Sequence, residues 1–256
     1  MYIEIKSQDE ILAIEESAAI ARQVLFVTRT AVTPGISTKE IEEIAVREMD
    51  RLGAKSAFWN YRGYPAQICI SINDELVHGI PSTSRKIKDG DLVKLDIGIK
   101  YKGYYGDVAE TIPVGNVSKG ALKLLTITYN CFNEGLKQAY PGKRLGDMAF
   151  AVQSYVEKNG FSVIRQFVGH GIGRNLHEKP EVPNFGTPGE GSKFEPGMVF
   201  AFEPMVATDN WQIKIKEDGW TAVTVDDKPC AHFEKMVSIT EKGPVFLADF
   251  EPLFLS

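Results

Sequence analysis

Val93-Lys94-Leu95-Asp96-Ile97-Gly98-Ile99-Lys100, with its return arm Gly103-Tyr104-Tyr105-Gly106-Asp107, decides how this chain is read. Apolar residues alternate along both arms, a Lys/Gly turn separates them, and each arm carries one aspartate, which is the pattern of a β-hairpin. Aspartate is a poor strand residue and is costly to bury without a partner for its charge. A single such residue is more often a turn or salt-bridged aspartate. Two aspartates facing each other across a hairpin would repel, so a shared cation explains them better.

Working outward, Ser7-Gln8-Asp9-Glu10 and Ser37-Thr38-Lys39-Glu40 have the form of capping boxes. The first predicts a helix through about Thr30, with Ile11, Ile14, Ala18, Ala21 and Leu25 on one face. The second predicts a helix that stops at Gly53. Strands are expected over Gln67–Ile72 and Asp91–Ile99 and on the arm carrying Asp107, with a loop over Asn73–Pro81. From Ser118 the pattern restarts, with helices to about Ala139 and from Leu145 to Asn159. Gly35 and Gly53 are 18 residues apart, as are Gly142 and Gly160, and the offset between the pairs is 107. The same offset carries Gly90–Asp96 onto Gly197–Glu203. An internal duplication follows, with half-repeats at about 7–117 and 118–245 forming one domain, 1–256, around a shared sheet.

The composition, 43% apolar and 25% charged, is that of a soluble globular chain. A net charge of -5 carries no basic footprint for nucleic acid. No apolar run approaches membrane-spanning length, and Met1-Tyr2-Ile3-Glu4-Ile5-Lys6 runs into a polar helix start without a secretory apolar stretch. Cys69, Cys131 and Cys230 are odd in number and widely separated, which argues against a disulfide framework or a cysteine zinc site. The expected compartment is therefore the reducing cytoplasm.

The duplication sets Asp96 and Glu203 at equivalent strand positions. Glu203 lies in the apolar run Phe200-Ala201-Phe202-Glu203-Pro204-Met205, and Glu234 in Ala231-His232-Phe233-Glu234-Lys235-Met236-Val237. His170 sits within Gly169-His170-Gly171-Ile172-Gly173, where flanking glycines allow close backbone approach. Four carboxylates in apolar settings plus one imidazole suit two divalent ions of the Mn, Co, Fe or Zn kind. Two such ions can generate a hydroxide and stabilise a tetrahedral oxyanion, the chemistry of peptide or ester hydrolysis.

Asp96, Asp107, His170, Glu203 and Glu234, in that order, resemble the five metal ligands of the methionine aminopeptidases, and the short type I, bacterial form in particular. His78-Gly79-Ile80-Pro81, Gly169–Gly173 and Phe202-Glu203-Pro204-Met205 carry the resemblance, which covers nearly the whole chain. It implies the α+β pita-bread fold: internally duplicated, with a curved antiparallel sheet covered by helices and a pseudo-two-fold dinuclear metal site. It implies that Asp96 holds one metal, His170 and Glu203 the other, and Asp107 and Glu234 both. His78, His177 and Glu203 would serve catalysis, with His78 and His177 also contacting substrate. Phe58, Tyr61, Tyr64, Cys69, Leu176 and Trp220 would line a methionine pocket. A monovalent cation is implied near Asn73, Glu75 and Cys230. The implied reaction is removal of the N-terminal methionine from nascent chains by a metal-bound hydroxide, with a small second residue preferred. A transient ribosome contact and a monomeric state are also implied.

Three positions depart from the pattern. Leu176 stands where an aromatic residue often precedes the second histidine, Phe58 where some members have Cys, and Lys235 where a His commonly follows the last Glu. Proline-specific peptidases of the same fold share the ligands but usually carry an additional N-terminal domain. Non-catalytic relatives that bind RNA or protein typically lose ligands and gain basic character. This chain keeps all five ligands and is acidic.

Overall fold

Ser7 and Ser37 each open a helix in the expected way. Ser7 Oγ accepts the Glu10 N–H at 3.3 Å while the Glu10 carboxylate accepts the Ser7 N–H at 3.0 Å, starting α1 (Gln8–Thr30). Ser37 and Glu40 repeat the exchange at 3.2 and 2.8 Å for α2 (Thr38–Arg51). Helix α3 (Lys119–Leu136) is capped by Ser118 and ends in turn bonds before Ala139; α4 spans Leu145–Lys158. The computed structural model describes residues 3–255, so Met1, Tyr2 and Ser256 of the expected 1–256 domain lie outside the described residues.

The first half contains β1 (Lys55–Ser56), β2 (Cys69–Ile72), β3 (Glu75–Val77), β4 (Leu92–Tyr101) and β5 (Tyr104–Pro113). Strands β4 and β5 pair along their full length around Lys102 and Gly103, whose φ values of +46° and +90° give the two-residue turn that matches strand twist. Strand β4 divides its side chains cleanly. Val93, Leu95, Ile97 and Ile99 enter a core with Ala21 and Leu25 of α1 and Ile41 and Ala45 of α2. Lys94, Asp96 and Gly98 project from the opposite face.

Two expectations are corrected here. Asp96 pairs with Ala109 and Asp107 with Gly98, so the two aspartates are diagonal neighbours on one face and not directly opposed. The stretch Asn73–Pro81 is not all loop, because Glu75–Val77 forms β3 against β12. Asn73 and Asp74 read as turn residues and hide a three-residue strand whose Leu76 is fully buried.

The second half adds β6 (Ser162–Val163), β7 (Gly169–Gly171), β8 (Glu178–Val182), β9 (Val199–Phe202) and β10 (Met205–Ala207). It continues with β11 (Ile213–Ile215), β12 (Ala222–Thr224), β13 (Cys230–His232), β14 (Lys235–Thr240) and β15 (Gly243–Leu247). Five of these form an antiparallel sheet in the order β15-β14-β9-β7-β8. Its inner residues Phe200, Phe202 and Val237 pack with Leu124, Phe132, Met148 and Val152 of α3 and α4. The offset of 107 has structural counterparts. Gly35 and Gly142 have φ of +94° and +88°, Gly53 and Gly160 +69° and +84°, and Gly90 and Gly197 +89° and +91°. Strands β4 and β9 begin at the related positions Leu92 and Val199. Whereas β4 continues through Asp96, β9 stops before Glu203, where Pro204 supplies no N–H for a ladder. The halves meet at a backbone bridge between Ala109 of β5 and Glu234.

Candidate metal centre

Every metal-ligand, catalytic and substrate-contacting candidate named from the sequence lines one cavity of about 340 Å³, whereas Asn73, Glu75 and Cys230 lie outside its lining. Asp96 comes from β4, Asp107 from β5, His170 from β7, Glu203 from the end of β9, and Glu234 from the link between β13 and β14. The Ala109–Glu234 bridge extends the row of paired residues Cys69, Asp96 and Ala109 across the sheet. Asp96 and Glu234 therefore flank the Ala109 methyl on one face, with Asp107 one diagonal away.

Glycine places His170. A Cβ on Gly171 would lie 2.2 Å from the Lys179 carbonyl oxygen, and one on Gly169 2.4 Å from that of Ala201, so β7 fits between its neighbours only without side chains there. His170 Nδ1 lies 3.0 Å from the Gly171 carbonyl oxygen, which calls for a proton on Nδ1 and leaves the Nε2 lone pair facing the carboxylates. Nε2 is 3.7 Å from Glu203 Oε1 and 4.0 Å from Asp107 Oδ2.

These groups repel one another as they stand. Burial pushes Asp96 up to about 7, with the Glu203 charge adding and His232 opposing. Burial likewise pushes Glu203 up to about 7, with His170 opposing. Asp107 and Glu234 are raised well above the carboxylate range, by burial first and then by the other carboxylates. Oδ1 of Asp96, Oδ1 of Asp107 and Oε1 of Glu234 are buried with no hydrogen-bond partner. Donor atoms of Asp107, His170 and Glu234 all lie within 4.8 Å of one another. Orphaned carboxylate oxygens converging with an open imidazole nitrogen fit a divalent cation in donor type and in charge.

The pocket wall stands above this floor. Tyr61 stacks on His177, with ring centroids 5.3 Å apart, and its hydroxyl lies 2.9 Å from His177 Nδ1. The His177 ring is 4.1 Å from that of His170, and its pKa is pushed down to about 3, by desolvation first and then by His170 and Arg62. His78 is held at φ +60°, a left-handed conformation rare for a residue with a side chain and common at functional sites. Burial lowers its pKa to about 4. Tyr64 meets Trp220 edge-on at 5.2 Å and donates to the Gly79 carbonyl at 3.0 Å. Phe58 lies over Gly98, where an added Cβ would come within 2.3 Å of its ring.

The matches with known proteins agree with this geometry. The profile of metallopeptidase family M24 matches residues 13–241. The chain is 50% identical to methionine aminopeptidase 1 of Bacillus subtilis over 83% of its length and 85% of the relative's. This chain belongs to metallopeptidase family M24, among the methionine aminopeptidases. It is 45% identical to the methionine aminopeptidase of Clostridium perfringens, covering 95% of this chain and 97% of the other. A crystal structure of methionine aminopeptidase from Thermotoga maritima superposes with a TM-score of 0.95 at 41% identity, covering 97% of this chain and 100% of that one. A prolidase from Pyrococcus horikoshii, at 23% identity and a TM-score of 0.79, shares the fold, and this chain spans 64% of it. The methionine aminopeptidase fold here is thus the pita-bread fold, and membership of a metallopeptidase family implies divalent metal at the site.

Two of the family departures have structural consequences. Lys235 points away from the pocket: its ammonium donates to Tyr129 Oη at 2.9 Å and the Phe250 carbonyl at 2.7 Å, pairs with Asp249 at 2.6 Å, and lies about 5 Å from the Tyr129, Phe246 and Phe250 rings. Leu176 is buried at the pocket wall beside Ile172 and Met236. Near Asn73, Glu75 and Cys230, where the resemblance implies a monovalent cation, the structure places a lysine. The positive charge there is the fully buried ammonium of Lys94, donating to the Asn73 carbonyl at 2.7 Å, and an alkali ion beside it would meet a like charge. Glu75 is taken by Arg85 and Lys216.

The sequence reading sets His232 two residues before Glu234 but gives it no role in the site; it too lines the cavity, so that all four histidines of the chain gather there. The available signal was spacing: His232 precedes Glu234 by two residues, the period that keeps extended side chains on one face. Phe167, edge-on to His78 at 5.3 Å, was also missed, and nothing local in the sequence marks it.

Proposed function

We propose that this protein is a metal-dependent aminopeptidase that removes the N-terminal methionine from peptides and nascent chains, preferring a small second residue. The observation carrying this reading is the convergence of five donors, Asp96, Asp107, His170, Glu203 and Glu234, at the floor of a cavity walled by Phe58, Tyr61, Tyr64, Cys69, Leu176 and Trp220. Those five would hold two divalent ions, with Asp107 and Glu234 shared. The half-repeats at about 7–117 and 118–245 act as one catalytic domain, since ligands come from both.

Bound divalent cations supply an acidified water as nucleophile and polarise the scissile carbonyl. Glu203, whose carboxyl burial raises to about 7, is suited to take a proton and return it to the leaving amine. The Tyr61 hydroxyl lies 2.9 Å from His177 Nδ1, and in the tautomer where it donates to that nitrogen the ring proton is on Nε2, free to donate to the developing oxyanion. His78, neutral and fixed by its backbone, positions the scissile amide. Large aromatic surfaces and the soft Cys69 thiol suit an unbranched, polarisable methionine side chain.

The direct test is release of free methionine from Met-Ala-Ser by chelator-treated protein, with and without added Mn or Co. Metal-dependent release is expected. Comparable cleavage of peptides beginning with Leu or Phe would argue for another substrate class.

A further inference from the structure

His232 ends β13, paired with Met205 of β10, and is only 1% exposed. Neither of its ring nitrogens has a hydrogen-bond partner. A buried, unsatisfied polar atom costs roughly 1–3 kcal/mol, so an imidazole with both nitrogens unmet requires an explanation. Its position supplies one. Nε2 lies 3.5 Å from Glu203 Oε2, while His170 Nε2 lies 3.7 Å from the other oxygen, Oε1. The Glu203 carboxylate is thus flanked by two imidazoles, one at each oxygen. At 3.5 Å the His232–Glu203 pair is longer than an ordinary N–H···O hydrogen bond. Two donors sharing one cation at about 2.0–2.2 Å stand roughly 3–3.5 Å apart, close to the separation found.

We propose that His232 Nε2 is a second imidazole donor to the divalent metal of this site, alongside His170. The proposal rests on the metal-centre reading and adds a sixth protein group to it. It differs from the case of His177, which stands at the exposed mouth of the cavity and is engaged by Tyr61. A second nitrogen donor has a chemical consequence: it tilts preference from Mn towards Co, Fe and Zn, which favour imidazole more strongly.

The test uses the whole chain labelled with ¹⁵N at its four histidines. The imidazole nitrogens are followed by NMR as the metal-free protein is titrated with Zn, a diamagnetic ion. Coordination shifts at Nε2 of both His170 and His232 are expected. A shift at His170 with none at His232 overturns the proposal and leaves the metal centre intact. No shift at any ring at saturating Zn overturns the metal-centre reading and this proposal together. Competition titrations on His232→Gln give a second readout. Zn affinity should fall at least about 10–100-fold, the range seen when even a supporting partner of a ligand is lost. Mn affinity should fall less, and equal losses for both ions would count against a nitrogen donor.

Discussion

Glu234 and Ala109 exchange both backbone hydrogen bonds, the Glu234 N–H reaching the Ala109 carbonyl at 2.9 Å and the Ala109 N–H returning at 3.2 Å. This bridge fastens the second half of the chain to β5 two residues from Asp107. It also sets Asp96 and Glu234 on either side of the smallest side chain that still fills the floor. Asp107→Ala or Glu234→Ala should abolish activity and leave at least one cation site empty. Metal analysis beside the peptidase assay checks this, and full activity at normal metal content would refute the shared-ligand arrangement. Ala109→Leu should do similar damage to metal binding by filling the gap, with the fold retained by circular dichroism.

His177→Ala should lower kcat by about 10²–10³-fold, the usual cost of losing one oxyanion donor, with KM little changed and both metals retained. Tyr61→Phe removes the hydroxyl that sets the ring's tautomer and should cause a smaller fall in kcat alone. Loss of metal from His177→Ala would instead make it a ligand.

Without metal, the protein should lose stability as pH rises. The carboxyls of Asp96 and Glu203 are raised to about 7, and those of Asp107 and Glu234 are also raised well above their ordinary value, so the folded state keeps protons that the unfolded chain has already released. Their contribution is full below the ordinary carboxylate range and is lost as pH rises through about 7. His78, His177 and His232, lowered to about 4, 3 and 4, act in the opposite sense, but that gain is largely complete above their ordinary value near 6.5. The Tm of chelated protein should therefore fall between pH 6.5 and 8. Excess Mn should remove the fall, because a cation answers the same charges.

Lys94→Met should destabilise the protein by about 2–3 kcal/mol, the upper range for a hydrogen bond from a charged group. The loss removes the cation that holds the Asn73 carbonyl beside the Cys230 N–H, which donates to the same oxygen at 3.1 Å. Lys94→Ala leaves room for a replacement, so potassium or ammonium chloride should raise its Tm more than choline chloride does. Equal effects of the three salts would show that no cation is needed there.

Leu176→Phe should narrow the pocket and depress cleavage of norleucine- and ethionine-initiated peptides relative to methionine. The ratio of kcat/KM values reads this out, and an unchanged ratio would place Leu176 in the adjoining core alone.

The sequence alone determined the parts that follow from local pattern. The Ser-x-x-Glu boxes started both helices because capping needs only four consecutive residues. Alternation along β4 separated core-facing Val93, Leu95, Ile97 and Ile99 from Asp96. The 107-residue offset related Gly90 to Gly197, and four carboxylates in apolar settings with one glycine-flanked histidine marked the five candidate donors. Only the tertiary structure decided what depends on long-range pairing. Whether Asp96 opposes Asp107 or Ala109 is a matter of register, and β3 is a strand only because β12 lies beside it. The cation on the Asn73 carbonyl turned out to be Lys94, and the last imidazole aimed at Glu203 was His232. Both side chains are buried, and what a buried polar group faces is set by chain segments remote in sequence; the two-residue spacing puts His232 on the same face as Glu234 but does not say what it meets there.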